Sequence, residues 1–79
     1  GKPFRNKGTM TKVVGRFTSY CFDNLKITRL EAPIFDFNIA SENILLKNGF
    51  YLEKELPDFY KKGDKLISAK MYVKRSVDT

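Results

Sequence analysis

Asn38-Ile39-Ala40-Ser41-Glu42-Asn43-Ile44-Leu45-Leu46-Lys47-Asn48-Gly49-Phe50 is the stretch on which the fold turns. The Asn38 side chain can accept from the free backbone N–H groups of a first helical turn, and Gly49 can take the left-handed conformation just past the last one. The spacing predicts a short helix over 39–48. A β-rich run from Ile27 to Phe35 precedes it, with Leu30, Ala32 and Ile34 on one face at the two-residue period of a strand. A strand that runs into a capped helix makes a junction where free backbone groups converge.

Toward the N-terminus, Met10, Val13, Val14, Phe17, Tyr20 and Cys21 recur at helical spacing and predict an amphipathic helix from Thr9 to about Asn24. Thr9 or Thr11 would cap its start and Asp23-Asn24 would break it. Toward the C-terminus, strands are expected over 50–54 and 66–74, joined around the turn-forming Lys61-Lys62-Gly63-Asp64, with Pro57 marking a bend or edge. In the last strand Ile67, Ala69, Met71 and Val73 alternate with Ser68, Lys70, Tyr72 and Lys74, predicting one core face and one polar or aromatic face. Pro33 cannot donate to a ladder, so its strand should have an edge or a place where strands part. The order helix, strand, helix, strand, strand predicts an α/β (α+β) chain: a mixed three-stranded sheet with two helices.

Composition narrows the chemistry. The 79 residues are 42% hydrophobic and 30% charged, without a repeat, a low-complexity tract or a long apolar run, as expected of one globular domain without a membrane span. Gly1-Lys2-Pro3-Phe4-Arg5 lacks the apolar core of a signal peptide. The single Cys21 cannot form an internal disulfide; it is expected to be a small buried hydrophobe in a reducing, cytoplasmic setting. With no histidine and one cysteine, the usual zinc sites and the Ser-His or Cys-His catalytic pairs are excluded. The net charge of +6 favours anionic ligands.

One place to hold an anion precedes the first helix: Arg5-Asn6-Lys7-Gly8-Thr9-Met10-Thr11, a short basic stretch with one glycine. The first N–H groups of a helix have no acceptor within it and carry roughly half a positive charge, so a pyrophosphate fits there. The same residues also suit an ordinary solvated turn.

Two motifs at their proper separation resemble the GNAT family of acetyl-CoA-dependent N-acetyltransferases. In that family an Asn at the end of a central strand is followed eleven residues later by Gly-Phe, as Asn38 is by Gly49-Phe50. Its phosphate loop reads Arg or Gln, two residues, Gly, one residue, then Gly or Ala; Arg5 and Gly8 match, while Met10 departs at the last position. Asn38-Ile39-Ala40-Ser41 and the run from Tyr20 to Ala32 are similar to the ribosomal-protein N-acetyltransferase branch.

The resemblance implies acetyl-CoA as co-substrate, with Arg5, Asn6, Lys7, Gly8, Thr9, Met10 and Thr11 at the coenzyme pyrophosphate and Asn38 and Ser41 beside the pantetheine arm. Asn38 can serve as cap and contact together. It implies an amine acceptor, a protein N-terminus or a small amine. Many members place a tyrosine seven residues after the Asn to protonate the leaving thiolate; Leu45 stands there, so no general acid carries over. Tyr51, Tyr60 and Tyr72 are the available phenols, and Glu31, Asp36 and Glu42 the carboxylates from which a base would be sought. The similarity covers the C-terminal half of the fold and leaves the strand over 29–35 without its family neighbour, which predicts a homo-oligomer. A rival reading from charge alone is a small RNA- or ribosome-associated module using Arg5, Lys7, Lys12, Arg16 and Lys61-Lys62, with Tyr51, Phe59 or Tyr60 for base stacking.

Overall fold

A computed structural model of the chain describes residues 7–77. Its elements are helix α1 (Lys7–Asp23), strand β1 (Arg29–Phe35), helix α2 (Ile39–Lys47), strand β2 (Tyr51–Lys62) and strand β3 (Lys65–Arg75). The two helices and three strands are those expected, in the expected order. The sheet order is β1-β3-β2 and both pairings are antiparallel, which corrects the mixed sheet. β1 and β2 do run parallel to one another, but β3 returns between them, so no parallel ladder forms.

Three boundaries differ from the sequence reading. α1 begins at Lys7, so Thr9 and Thr11 lie inside the helix and neither caps it. The apolar period marks only the turns that bury something, and Lys7–Thr9 carries no apolar residue. β2 runs on to Lys62 where a strand over 50–54 was expected. Pro57 does not end it, because β2 is a sheet margin and carries its irregularity as bulges: the register shifts between Leu52 and Lys54 and again between Leu56 and Tyr60. Asp58 takes a φ of 53° there, and its N–H donates to Ser68 Oγ at 3.1 Å. β3 is buried on both faces rather than one. Ala69 and Val73 are covered on one side and Tyr72 on the other, the expected consequence of a central strand.

The core lies between the helices and the sheet. Leu45, Phe50 and Tyr72 form its centre, with Val14, Leu30, Ala32 and Ile34 packed against them. Thr18 and Cys21 bury the middle of α1, and Cys21 is the small buried hydrophobe anticipated.

α2 ends as the Gly-Phe pair implied. Gly49 has a φ of 85°, its N–H donates to Leu46 O at 3.1 Å, and the Phe50 N–H donates to Leu45 O at 3.0 Å. This double closure satisfies two carbonyls and drives Phe50 into the core against Leu45. The residue before the glycine joins the layers. Asn48 Nδ2 donates to Thr11 O of α1 at 3.1 Å and to Ile44 O of α2 at 2.9 Å, while Lys74 Nζ of β3 donates to Asn48 O at 2.7 Å. Gly15 makes room for it: a Cβ there would sit 2.8 Å from Asn48 Oδ1.

This contact predicts a sign reversal. In mid-helix, Gly→Ala ordinarily stabilises by about 0.5 to 1 kcal/mol. Gly15→Ala should instead destabilise the wild-type chain, because the two Nδ2 hydrogen bonds hold Asn48 in place. Asn48→Ala should cost about 1 to 3 kcal/mol, and in that background Gly15→Ala should recover its ordinary stabilising effect. A double-mutant cycle by urea denaturation measures all three terms.

Candidate functional site: a groove between two helix starts and a strand

The junction between β1 and α2 forms as the sequence implies. Asn38 caps α2, its Oδ1 accepting from the Ser41 N–H at 3.2 Å, and the Glu42 N–H donates to Asn38 O at 3.2 Å. Ser41 therefore sits in the first turn with its side chain free of the cap.

An apolar groove of about 280 Å³ runs alongside. Met10 and Val14 of α1 form one wall, Ser41, Ile44 and Leu45 of α2 the other, and Ala32 and Ile34 of β1 the floor. Met10 and Ser41, 31 positions apart in sequence, thus line one groove, and the starts of both helices stand at its rim. Gly8, Thr9 and Thr11 belong to the first turns of α1 rather than to a loop, which corrects the loop over 5–11; Arg5 and Asn6 lie outside the described residues. Thr11 lines a different, open depression of about 800 Å³ between α1 and the end of α2, together with Lys12, Arg16, Lys47 and Lys74. Its carbonyl is taken by Asn48. The structure therefore brings Met10 and Ser41 together, sets Asn38 next to them as a cap, and turns Thr11 toward the basic side.

Two titratable groups beside the groove are paired with each other. Tyr72 Oη donates to Glu42 Oε2, and Lys70 Nζ lies 3.5 Å from the same carboxylate oxygen. The Tyr72 hydrogen bond, aided by the Lys70 charge, holds the Glu42 carboxyl below the usual carboxylate range against an opposing effect of burial. Burial, together with the Glu42 charge, pushes the Tyr72 phenol up to about 12. Neither group is poised near neutral pH. Leu45 is buried in the core, so the position where many family members carry a phenol is a packing position here.

Sequence reasoning missed the pairing of Tyr72 with Glu42 and the role of Asn48, because both cross between elements and no local pattern encodes them. The aromatic residues offered for base stacking are partly engaged. Tyr60 and Phe59 lie with ring centroids 5.8 Å and 6.5 Å from Phe35, and Phe35 stacks on Phe37 at 5.5 Å.

Comparison with known proteins agrees with this fold. The family model described as Acetyltransferase (GNAT) domain matches residues 1–51. The probable N-acetyltransferase YjcK of Bacillus subtilis (strain 168) is 38% identical over 52 residues, which are 66% of this chain and 29% of that protein. The ribosomal-protein-S5-alanine acetyltransferase from Vibrio fischeri superimposes with a TM-score of 0.86 at 21% identity, over 95% of this chain and 41% of that one. A GNAT-family acetyltransferase from Bacillus anthracis does so at 0.85 and 21% identity, over 90% of this chain and 43% of that one. At these identities the solved structures speak for the fold. The chain spans well under half the length of each of these proteins.

The Tyr72–Glu42 pair gives stability two pH limbs. A carboxyl with a depressed folded pKa stabilises above its unfolded value and loses that contribution as pH falls through the folded one. A phenol with a raised pKa stabilises below pH 10 and loses its contribution as pH rises toward about 12. Denaturant midpoints should be flat through neutrality and fall on both sides. Tyr72→Phe should lower the plateau and remove the loss specific to this phenol above pH 10.

Proposed function

Because the chain belongs to the GNAT acetyltransferase family, we propose that it forms the acetyl-CoA-binding part of an N-acetyltransferase, which transfers acetyl from the coenzyme thioester to an amine. The observation that carries this reading is the apolar groove with two helix starts at its rim. A pantetheine arm is narrow and largely apolar, and suits a channel walled by Met10, Ile44 and Ala32. A pyrophosphate is dianionic and suits the N–H groups at the start of α1, where residues 5–11 would hold it. Ser41 would face the arm, and Asn38 would keep that turn in place by capping it.

A separate basic depression, lined by Lys12 and Arg16, runs along α1 toward the end of α2. When bound, the coenzyme supplies the activated acetyl group; this chain's residues hold and orient it. Among the described residues that line the groove none is titratable, so this reading assigns the chain no base. The family match favours this reading over an RNA-binding module.

Titration with coenzyme A, followed by amide resonances, tests the assignment. The amides of Gly8 to Thr11 and of Ser41 to Ile44 should shift first. Unmoved amides there in a folded protein would refute the site. Proline is tolerated in a first helical turn, so Gly8→Pro should preserve the fold while deleting one donor, and weaken coenzyme binding by roughly tenfold. The 79-residue chain alone should bind the coenzyme yet give negligible acetylation of amines in a thiol-release assay; brisk turnover would show that it holds a base of its own.

A further inference from the structure

Asn48 stands before a glycine, and Asn48-Gly49 is the one Asn-Gly pair in the sequence. An asparagine in that setting carries a chemistry of its own. The backbone nitrogen of the next residue attacks the side-chain Cγ; a bond forms between them, the Cγ–Nδ2 bond breaks, and ammonia leaves with the proton of the attacking nitrogen. Water then opens the five-membered imide at one carbonyl or the other and leaves an aspartate or an isoaspartate. A side chain on the attacking residue obstructs the first step, and glycine has none. Asn6, Asn24, Asn38 and Asn43 are followed by lysine, leucine, isoleucine and isoleucine, so this reactivity is concentrated at residue 48.

The charges around the pair favour the reaction. Negative charge develops on the Gly49 nitrogen as its proton leaves, and then on the Cγ oxygen as the new bond forms. Asn48 and Gly49 line the open depression together with Lys12, Arg16, Lys47 and Lys74. Lys74 is in contact with both: its Nζ donates to Asn48 O at 2.7 Å, and a Cβ on Gly49 would lie 3.3 Å from that nitrogen. Cations at such range stabilise an anion, and Gly49 is exposed to the water that opens the imide.

The fold opposes the same reaction by geometry. Ring closure needs the Gly49 nitrogen to eclipse Cβ about the Cα–C bond of Asn48. At the observed ψ of 14° that nitrogen is turned well away from Cβ. Hydrogen bonds hold both reacting groups in this arrangement. The Gly49 N–H donates to Leu46 O at 3.1 Å and the Asn48 N–H to Leu45 O at 3.0 Å, while Nδ2 is fixed on Thr11 O and Ile44 O. Closing the ring therefore requires the end of α2 to open first.

We propose that Asn48-Gly49 is a site of spontaneous deamidation which the folded chain holds closed, and that the modification, once made, disables the clamp between α1 and α2. A carboxylate at residue 48 has no hydrogen to donate to Thr11 O and Ile44 O. It sets oxygen against those carbonyl oxygens, at the electronegative end of α2. An isoaspartate also lengthens the backbone by one carbon within the turn whose bonds close α2. The change runs one way, since hydrolysis of the imide does not restore the amide. The contact that keeps the helices in place thus also protects the residue that makes it, and each opening of the α2 terminus exposes the clamp to permanent loss.

Peptide mapping by mass spectrometry during incubation at mildly alkaline pH tests this without any coenzyme. In denaturing urea, Asn48 should convert to aspartate and isoaspartate ahead of the other four asparagines. In the folded chain the same conversion should be slower by at least about tenfold, because it waits on local opening. Gly15→Ala, whose Cβ presses on the Asn48 amide, should speed the conversion about fivefold in the folded state, with circular dichroism confirming the fold. Asn48→Asp, which carries the product side chain, should lower the urea midpoint relative to the wild type. Equal wild-type rates in the folded and unfolded chain, a folded Gly15→Ala chain that reacts no faster, an Asn48 that outlasts the other asparagines in urea, or a wild-type midpoint for Asn48→Asp would each overturn the proposal. The comparison of folded with unfolded wild type stands whatever the variants do.

Discussion

Asn48 holds the layers in register. Its side chain ties the first turns of α1 to the last turn of α2, and its carbonyl ties α2 to Lys74 on the central strand. The two amide bonds are lost with the side chain, whereas the Lys74 bond is to the backbone carbonyl of residue 48. The neighbouring glycine turns the chain so that Phe50 enters the core, and Gly15 on the facing helix provides the space in which the amide lies. The groove walls are α1 and α2, and their spacing follows from this clamp. A disturbance at Asn48 would therefore be felt at Met10 and Ser41, which do not touch it.

The groove combines two physical features. Its lining is apolar, and the electropositive starts of two helices open at its rim. An elongated ligand with an apolar arm and an anionic end meets both without any side-chain charge in the groove. Neither member of the Tyr72–Glu42 pair is poised to move a proton at neutral pH. Tyr72 is occupied by Glu42 and raised by burial, and Leu45 is part of the core.

The sheet distributes its polar obligations unevenly. β3, between two partners, has its ladder satisfied on both sides and is buried on both faces, so it can carry Val73 and Ala69 on one side and Tyr72 on the other. Over the face away from the helices, Arg29 on β1 reaches across β3 to Glu53 on β2, with N–O distances of 2.7 and 2.8 Å, and also bonds Glu31 at 2.8 Å. Exposed pairs of this kind add little to stability, but one spanning three strands favours one alignment of the two margins. The margins carry the prolines, Pro33 and Pro57, where a missing N–H costs no ladder bond.

Much of this was legible in the residues themselves. Asn38, Gly49 and Phe50 located α2 to within a residue, because caps and stops act through bonds a few positions apart. The alternation Leu30, Ala32, Ile34 identified the face of β1 that meets the core, and Pro33 signalled an edge. These are local consequences of backbone geometry, and a sequence carries them directly. The start of α1, the continuation of β2 past Pro57 and the double burial of β3 were not legible, since each depends on which strand lies beside which. Nor were the Asn48 clamp, the partnership of Tyr72 with Glu42, or the meeting of Met10 with Ser41 in one groove. Their long-range contacts join residues 26 to 37 positions apart, and only the packing of helices on the sheet brings them within reach.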